Sequence, residues 1–227
     1  AETRLQAPAD ELTKRQILRE IVENLTYTNP LKQTRHHLGD LISTISEVKR
    51  GLLGAEDLRA IARENAVFIA AANSEVQTLL GGMLRLPGSA VKAIPLFQQL
   101  YAAIEGLVPP EPIHPGFGAL ANIALGELGL ALQEAANTNK STPLTAWKNK
   151  WLAKDADNAF VFSGSLENRR IGALADVFEQ YQEALAIKGW YDFDDMILRA
   201  IEALEKNPEL QYSLQDQYLY ILLDEFQ

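Results

Sequence analysis

Apolar residues recur along most of this chain at helical spacing, and that periodicity constrains the fold more than any other feature. Over 10–25, Ile17, Leu18, Ile21, Val22 and Leu25 share one stripe, which predicts an amphipathic helix. Over 31–50, Leu38, Leu41, Ile42, Ile45 and Val48 form another, ended by Gly51. Residues 55–80 continue with Leu58, Ile61, Phe68, Ile69, Val76, Leu79 and Leu80. A helix around 90–105 contains Pro95 and is expected to be short, kinked or to start there. Residues 119–136 are apolar almost all round and predict a buried helix. Pro143 suits the first turn of a helix carrying Trp147. Residues 167–188 place Ile171, Leu174, Phe178, Tyr181 and Leu185 on one face, with Gly189 as terminator. Asp192 opens a helix whose stripe is Phe193, Met196, Ile197, Ala200, Ile201 and Leu204, stopped by Asn207-Pro208. Two pieces read as extended. One is Phe160-Val161-Phe162. The other is the run Tyr218–Leu223, a buried strand ending in Asp224-Glu225. Prolines and glycines between 106 and 118 mark a loop or linker. The expected class is mainly α.

Composition narrows the function. The chain has 227 residues, 47% of them hydrophobic, enough to bury the core of one or two domains. No run of about 18 uninterrupted apolar residues occurs, so no membrane partner is expected. The polar N-terminal residues carry no signal-peptide pattern. Cysteine is absent, which excludes a disulfide framework, a thiolate metal site and a cysteine nucleophile. The net charge of −9, taken as a total, argues against nucleic acid. Its distribution says otherwise. Residues 171–227 hold 3 basic and 12 acidic residues, and the rest of the chain sums to zero. Residues 140–170 hold 6 basic and 3 acidic residues, interleaved with Trp147 and Trp151. The concentrated acidity suggests a second module at the C-terminal end.

Two acidic motifs could carry chemistry. Carboxylates at the C-terminal edge of a buried strand lie where α/β sheets bind ligands. There Asp224 could hold Mg²⁺, and Glu225 could orient or deprotonate water. The plainer reading is a strand followed by a solvated turn. In Asp192-Phe193-Asp194-Asp195, the acids suit an N-cap and first helical turn, and Phe193 suits core packing on the stripe. His36 and His37 are adjacent and point apart on a helix, so they make no paired metal site, and His114 stands in the Pro-rich loop. No Gly-Lys-Ser/Thr P-loop and no Gly-x-Ser-x-Gly elbow occurs.

The run Tyr191-Asp192-Phe193-Asp194-Asp195-Met196-Ile197, then Asn207-Pro208-Glu209-Leu210, then Ile221-Leu222-Leu223-Asp224-Glu225-Phe226-Gln227 resembles the UvrD/Rep/PcrA-type superfamily 1 DNA helicases. The order and the spacing of 31 residues from Phe193 to Asp224 match that family. Residues 178–227 carry the resemblance, residues 8–50 share it loosely, and 51–170 hold no matching motif. It implies that Asp224 ligates the Mg²⁺ of bound ATP, that Glu225 is the catalytic base, and that Gln227 senses the γ-phosphate. Phe193 would stack on bases of single-stranded DNA. Phe226 stands where the family usually has Tyr. Lys148 and Lys150, in the one basic region, would contact duplex backbone. The plainer alternative there is a solvated helix face with buried tryptophans.

The resemblance also implies an organisation. Residues 1–170 would form a multi-helix 1B-like insertion domain, and 171–227 a helix-helix-strand piece of the P-loop (RecA-like) 1A ATPase domain, ending at the motif II strand. The parent protein would be an ATP-dependent 3′–5′ DNA helicase, using Mg²⁺ and ATP on single-stranded and forked DNA in the bacterial cytosol or nucleoid. Lacking the P-loop, this piece is expected to hold neither cofactor and to be inactive by itself. Its unpaired C-terminal strand is expected to favour self-association. The competing expectation is a stand-alone all-α interaction or scaffold domain without catalysis.

Overall fold

Every apolar stripe in the sequence forms a helix in the computed structural model, which describes residues 7–32, 37–108, 120–218, 220 and 222. Among the described residues the helices are α1 (Glu11–Asn24), α2 (Leu38–Arg50), α3 (Ala55–Leu80), α4 (Ala90–Glu105), α5 (Leu120–Thr138), α6 (Thr142–Trp151), α7 (Ser165–Lys188), α8 (Phe193–Lys206) and α9 (Pro208–Gln217). β1 (Ala7–Pro8) pairs in parallel with β4 (Trp190–Tyr191), and β2 (Leu152–Lys154) pairs antiparallel with β3 (Phe160–Phe162). The chain is therefore mainly helical. No helix among the described residues is long and apolar enough to cross a membrane.

Local chemistry sets the ends of these elements. Asp10 caps α1 by accepting the Thr13 amide at 2.8 Å. Gly51 closes α2. Gly189 follows α7 with φ at +66°, a left-handed conformation that glycine adopts without steric penalty. α4 runs through Pro95, against the expectation of a short helix or a later start. The amide missing at Pro95 would have bonded the carbonyl of Val91, a residue 75% exposed, so water can serve that carbonyl instead.

The residues divide into two compact units. One comprises the described residues of Thr26–Gln33 and Ala55–Asp176. Its core joins Phe68, Val76, Phe97, Leu100, Leu128, Trp147, Trp151 and Phe162. Phe68 meets Phe162 edge-on at 5.4 Å, and Trp151 stacks on Phe162 at 5.6 Å. The buried Asn65 accepts the Leu120 amide at 3.3 Å, and Asn73 accepts the Phe162 amide, which ties α3 to α5 and to β3. The expectation for α5 needs correction. It buries one face, Ala121, Ala124, Leu128, Ala131 and Ala135, while Ile123 and Leu130 are exposed. Four of these five packed residues are alanines, which let neighbouring helices approach closely around Leu128.

The other unit comprises the described residues of Ala1–Leu25, Thr34–Gly54 and Val177–Gln227. Here α1 buries Ile17, Leu18, Ile21 and Val22, and α2 buries Leu38, Leu41, Ile45 and Val48. The Ala7 amide donates to Gly189 and the Ala9 amide to Tyr191, so Pro8, which has no N–H to give, fits this short parallel pair. The grouping differs from a simple cut at residue 170, because the first 25 residues and α2 pack with the C-terminal portion. The predicted strand over 218–223 has Leu219, Ile221 and Leu223 outside the described residues.

Candidate functional site

The start of α8 gathers three buried carboxylates, two of them on one buried lysine. Burial of Leu41, Ile45 and Val48 turns the same face of α2 inward, and Lys49, next in line, is fully buried. Its ammonium donates to Asp192 Oδ2 at 2.5 Å and to Asp195 Oδ1 at 2.7 Å. The same two aspartates form a capping box. Asp192 Oδ1 accepts the Asp195 amide at 2.9 Å, and Asp195 Oδ2 accepts the Asp192 amide at 3.0 Å. Tyr181 donates its hydroxyl to Asp192 Oδ2 at 3.1 Å, and Gln182 donates to Asp195 Oδ1 at 3.4 Å. Asp194 accepts the Ser46 hydroxyl at 2.6 Å and lies 3.5 Å from Arg50 Nε. Every oxygen of the three carboxylates thus has a partner, as buried charges require.

The electrostatics follow from these contacts. Burial opposes ionisation of Asp192. The hydrogen bond and charge of Lys49, the Asp195 amide and the Tyr181 hydroxyl outweigh it and hold the carboxyl below its usual range. Burial, then the neighbouring Asp192 charge, raises the Tyr181 phenol. Asp192 and Asp195 cap α8, which bears out the capping reading and extends it to an ion-pair network with Lys49.

Phe193 sits inside this motif and behaves differently. It is 66% exposed, although both its neighbours are buried. Met196 and Ile197, one turn further, are 47% and 46% exposed. Core packing therefore does not account for Phe193. The stripe of α8 is an open apolar ledge whose first residue is held by the ion-paired capping box. The sequence signal that could have found Lys49 was its place on the apolar face of α2.

The remaining candidates separate. Trp147 and Trp151 are buried, donating to the Ala124 carbonyl and to Glu127, both at 2.9 Å. Lys150 pairs with Glu127 at 2.6 Å, and that bond, then the one from Trp151, holds the Glu127 carboxyl below its usual range. Lys148 is half-buried and has no ion pair among the described residues. His37 faces Asp40 at 3.7 Å, both exposed. Asp224, Glu225, Phe226 and Gln227, with His36 and His114, lie outside the described residues. Among the described residues no group of three or more His, Asp or Glu is placed to hold a metal ion.

The family model of the UvrD/REP helicase N-terminal domain matches residues 4–227, almost the whole chain. This chain belongs to the UvrD/REP helicase N-terminal domain family. It is 33% identical over 102 residues to the DNA helicase II of Rickettsia typhi, covering 42% of this chain and 15% of that protein. It is 36% identical over 84 residues to the probable DNA helicase II homolog of Rickettsia felis, covering 37% and 12%. The matched stretch thus spans less than a sixth of these helicase relatives. No solved structure matches the chain.

Proposed function

We propose that this chain is part of an ATP-dependent DNA helicase that moves 3′ to 5′ on single-stranded DNA and unwinds forked duplex. The exposed Phe193 on an ion-locked helix start carries the reading. An aromatic held out from a rigid helix end offers a base a stacking surface without regard to sequence, which suits a translocating grip. Lys49 and Arg50 offset two of the three acidic charges around it, so the acids repel DNA phosphates less than their number suggests. Membership in the helicase family favours this reading over a stand-alone scaffold.

In this proposal the unit built on 55–176 is the helical 1B-like insertion, and the other unit belongs to the ATPase domain. The helical insertion then ends at Asp176, and the N-terminal helices α1 and α2 join the ATPase side, a division supported by the two compact units. Asp224 ligates the Mg²⁺ of bound ATP, Glu225 takes the proton from the attacking water, and Gln227 senses the γ-phosphate. Mg²⁺ and ATP together supply an activated phosphoryl group whose transfer to water drives the motor. Without a P-loop in its 227 residues, this piece alone hydrolyses no ATP.

The test is unwinding by the protein that carries this chain, on duplexes with a 3′ or a 5′ single-stranded tail. Unwinding of the 3′-tailed duplex alone is expected, with Glu225→Gln lowering turnover by at least about a hundredfold. Preference for the 5′ tail, full activity of the Glu225 variant, or ATP turnover by the isolated 227 residues would contradict it.

A further inference from the structure

One cavity in the unit built on 55–176 sets cations directly beside apolar surface. It holds about 420 Å³, a volume typical of ligand pockets, and opens between α4, α6 and β2. Arg85, Lys148 and Lys154 line it, and no aspartate or glutamate does. Residues 55–176 as a whole hold 10 basic and 12 acidic residues, so the local excess belongs to this cavity and not to the unit. Among the described residues neither Arg85 nor Lys148 is ion-paired. Lys154 donates to the carbonyls of Asn158 at 2.6 Å and Met83 at 3.4 Å, which leaves its charge without a carboxylate. α4 and α6 both begin here, tied by the Ser141 hydroxyl on the Gly88 carbonyl at 2.6 Å. Neither helix has an acidic residue in its first turn, so the positive ends of two helix dipoles add to the cations.

The rest of the lining decides which anion fits. Most of it is apolar, with Phe97, Leu144 and Phe160 among the interior residues. Lys154 lies 3.6 Å from the centre of the Phe160 ring, so the cationic and apolar parts are contiguous. Leu84, also at the cavity, is 77% exposed, a large apolar side chain that its own unit leaves uncovered. A bare phosphodiester against such a wall would lose water without gaining donors on that side. A peptide that sets carboxylates beside an aromatic or aliphatic side chain meets both halves. Its acids reach the three cations, and its apolar side chain covers Leu84 and enters toward Phe97.

We propose that this cavity docks an acidic segment of a partner protein, with an aromatic or large aliphatic side chain as the anchor. Charge complementarity sets the sign of the occupant, and the apolar lining sets its anchor. This docking goes beyond the helicase reading and does not depend on it. It gives Lys148 a role other than the duplex contact that the family resemblance implies. It also separates Lys148 from Lys150, which is paired with Glu127 and does not line the cavity.

The test uses the protein that carries this chain and the fluorescence anisotropy of a labelled peptide, Asp-Glu-Phe-Glu-Asp. Saturable binding is expected. Replacing the peptide's Phe by Gly, or its four acids by Asn and Gln, is expected to weaken it at least about tenfold. Leu84 and Arg85 are exposed and Lys148 is half-buried, so L84S and R85A/K148A are expected to keep the wild-type circular dichroism and melting temperature. Each is expected to weaken the peptide at least about fivefold, while K150A leaves it unchanged. Absence of saturable binding overturns the proposal. Equal binding of the Phe and Gly peptides, or an equal loss in K150A, means diffuse attraction and also overturns it. An oligonucleotide of matched charge, single- or double-stranded, is added as competitor. Its displacement of the peptide at equal concentration assigns the cavity to nucleic acid and overturns the peptide assignment. The readout involves neither ATP nor unwinding, so its failure leaves the helicase reading standing.

Discussion

Lys49 is the residue on which the start of α8 depends. One ammonium, with no exposure, faces two carboxylates whose side chains are only 4% and 10% exposed. Removing it would leave uncompensated buried charge, which costs about 3–5 kcal/mol. Lys49→Met is therefore expected to lower the unfolding free energy by about that amount in denaturant titration. The triple change K49M/D192N/D195N is expected to recover part of the loss, because neutral asparagine still caps the helix. A loss below about 1 kcal/mol in the single variant contradicts the network.

The same site sets an acid limit. Asp192 is held below its ordinary value of 3.8, so its contribution is complete above that value. As pH falls below 3.8 toward the folded-state value, protonation removes it. Wild type is therefore expected to lose its stability advantage over Asp192→Asn below about pH 4 and to keep it at pH 7. A difference that does not change with pH contradicts this.

At the scale of elements, the helices were legible because burial of one face imposes a period that composition cannot hide. Ile17, Leu18, Ile21 and Val22 are buried as the stripe of α1 demands. The periodicity of α8 was equally visible, but it announces only that one face is apolar, not that this face is covered. That is why Phe193 was legible as a stripe residue and not as an exposed one. Short strands were the other blind spot. Phe160-Val161-Phe162 was visible, but its partner β2 follows directly on α6 and has no pattern of its own. Its register comes from the turn, where Asp155 Oδ1 accepts the amides of Asp157 at 3.0 Å and Ala159 at 2.8 Å. On α5, the packed alanines carry a prediction. Ala124 is fully buried, so Ala124→Leu is expected to destabilise by about 1–3 kcal/mol, read as a lower denaturant midpoint. Exposed Ile123→Leu on the same helix is expected to change it by less than about 0.5 kcal/mol.

At the scale of the molecule, the charge of −9 misleads when read as a sum. Three of the acids in 171–227 are consumed inside the unit as ligands of Lys49, Ser46 and Arg50. Of the described cations of residues 55–176, Arg59 and Lys150 are ion-paired, while Arg85 and Lys148 have no ion pair among the described residues. Among the described residues, one unit therefore exposes an aromatic ledge and the other carries cations without an ion pair. Neither is visible in a total. The pairing of α2 with α8 across more than 140 residues of sequence was also illegible, because the contact between Lys49 and Asp192 leaves no local pattern.

The claim that Phe193 grips single-stranded DNA is tested most directly by DNA-stimulated ATP hydrolysis. The protein that carries this chain would be compared with its Phe193→Ala and Phe193→Trp variants over a range of single-stranded DNA concentrations. Phe193→Ala is expected to raise the DNA concentration for half-maximal stimulation about tenfold, with turnover at saturating DNA nearly unchanged, and Phe193→Trp to restore it. An alanine variant with wild-type DNA dependence would contradict it.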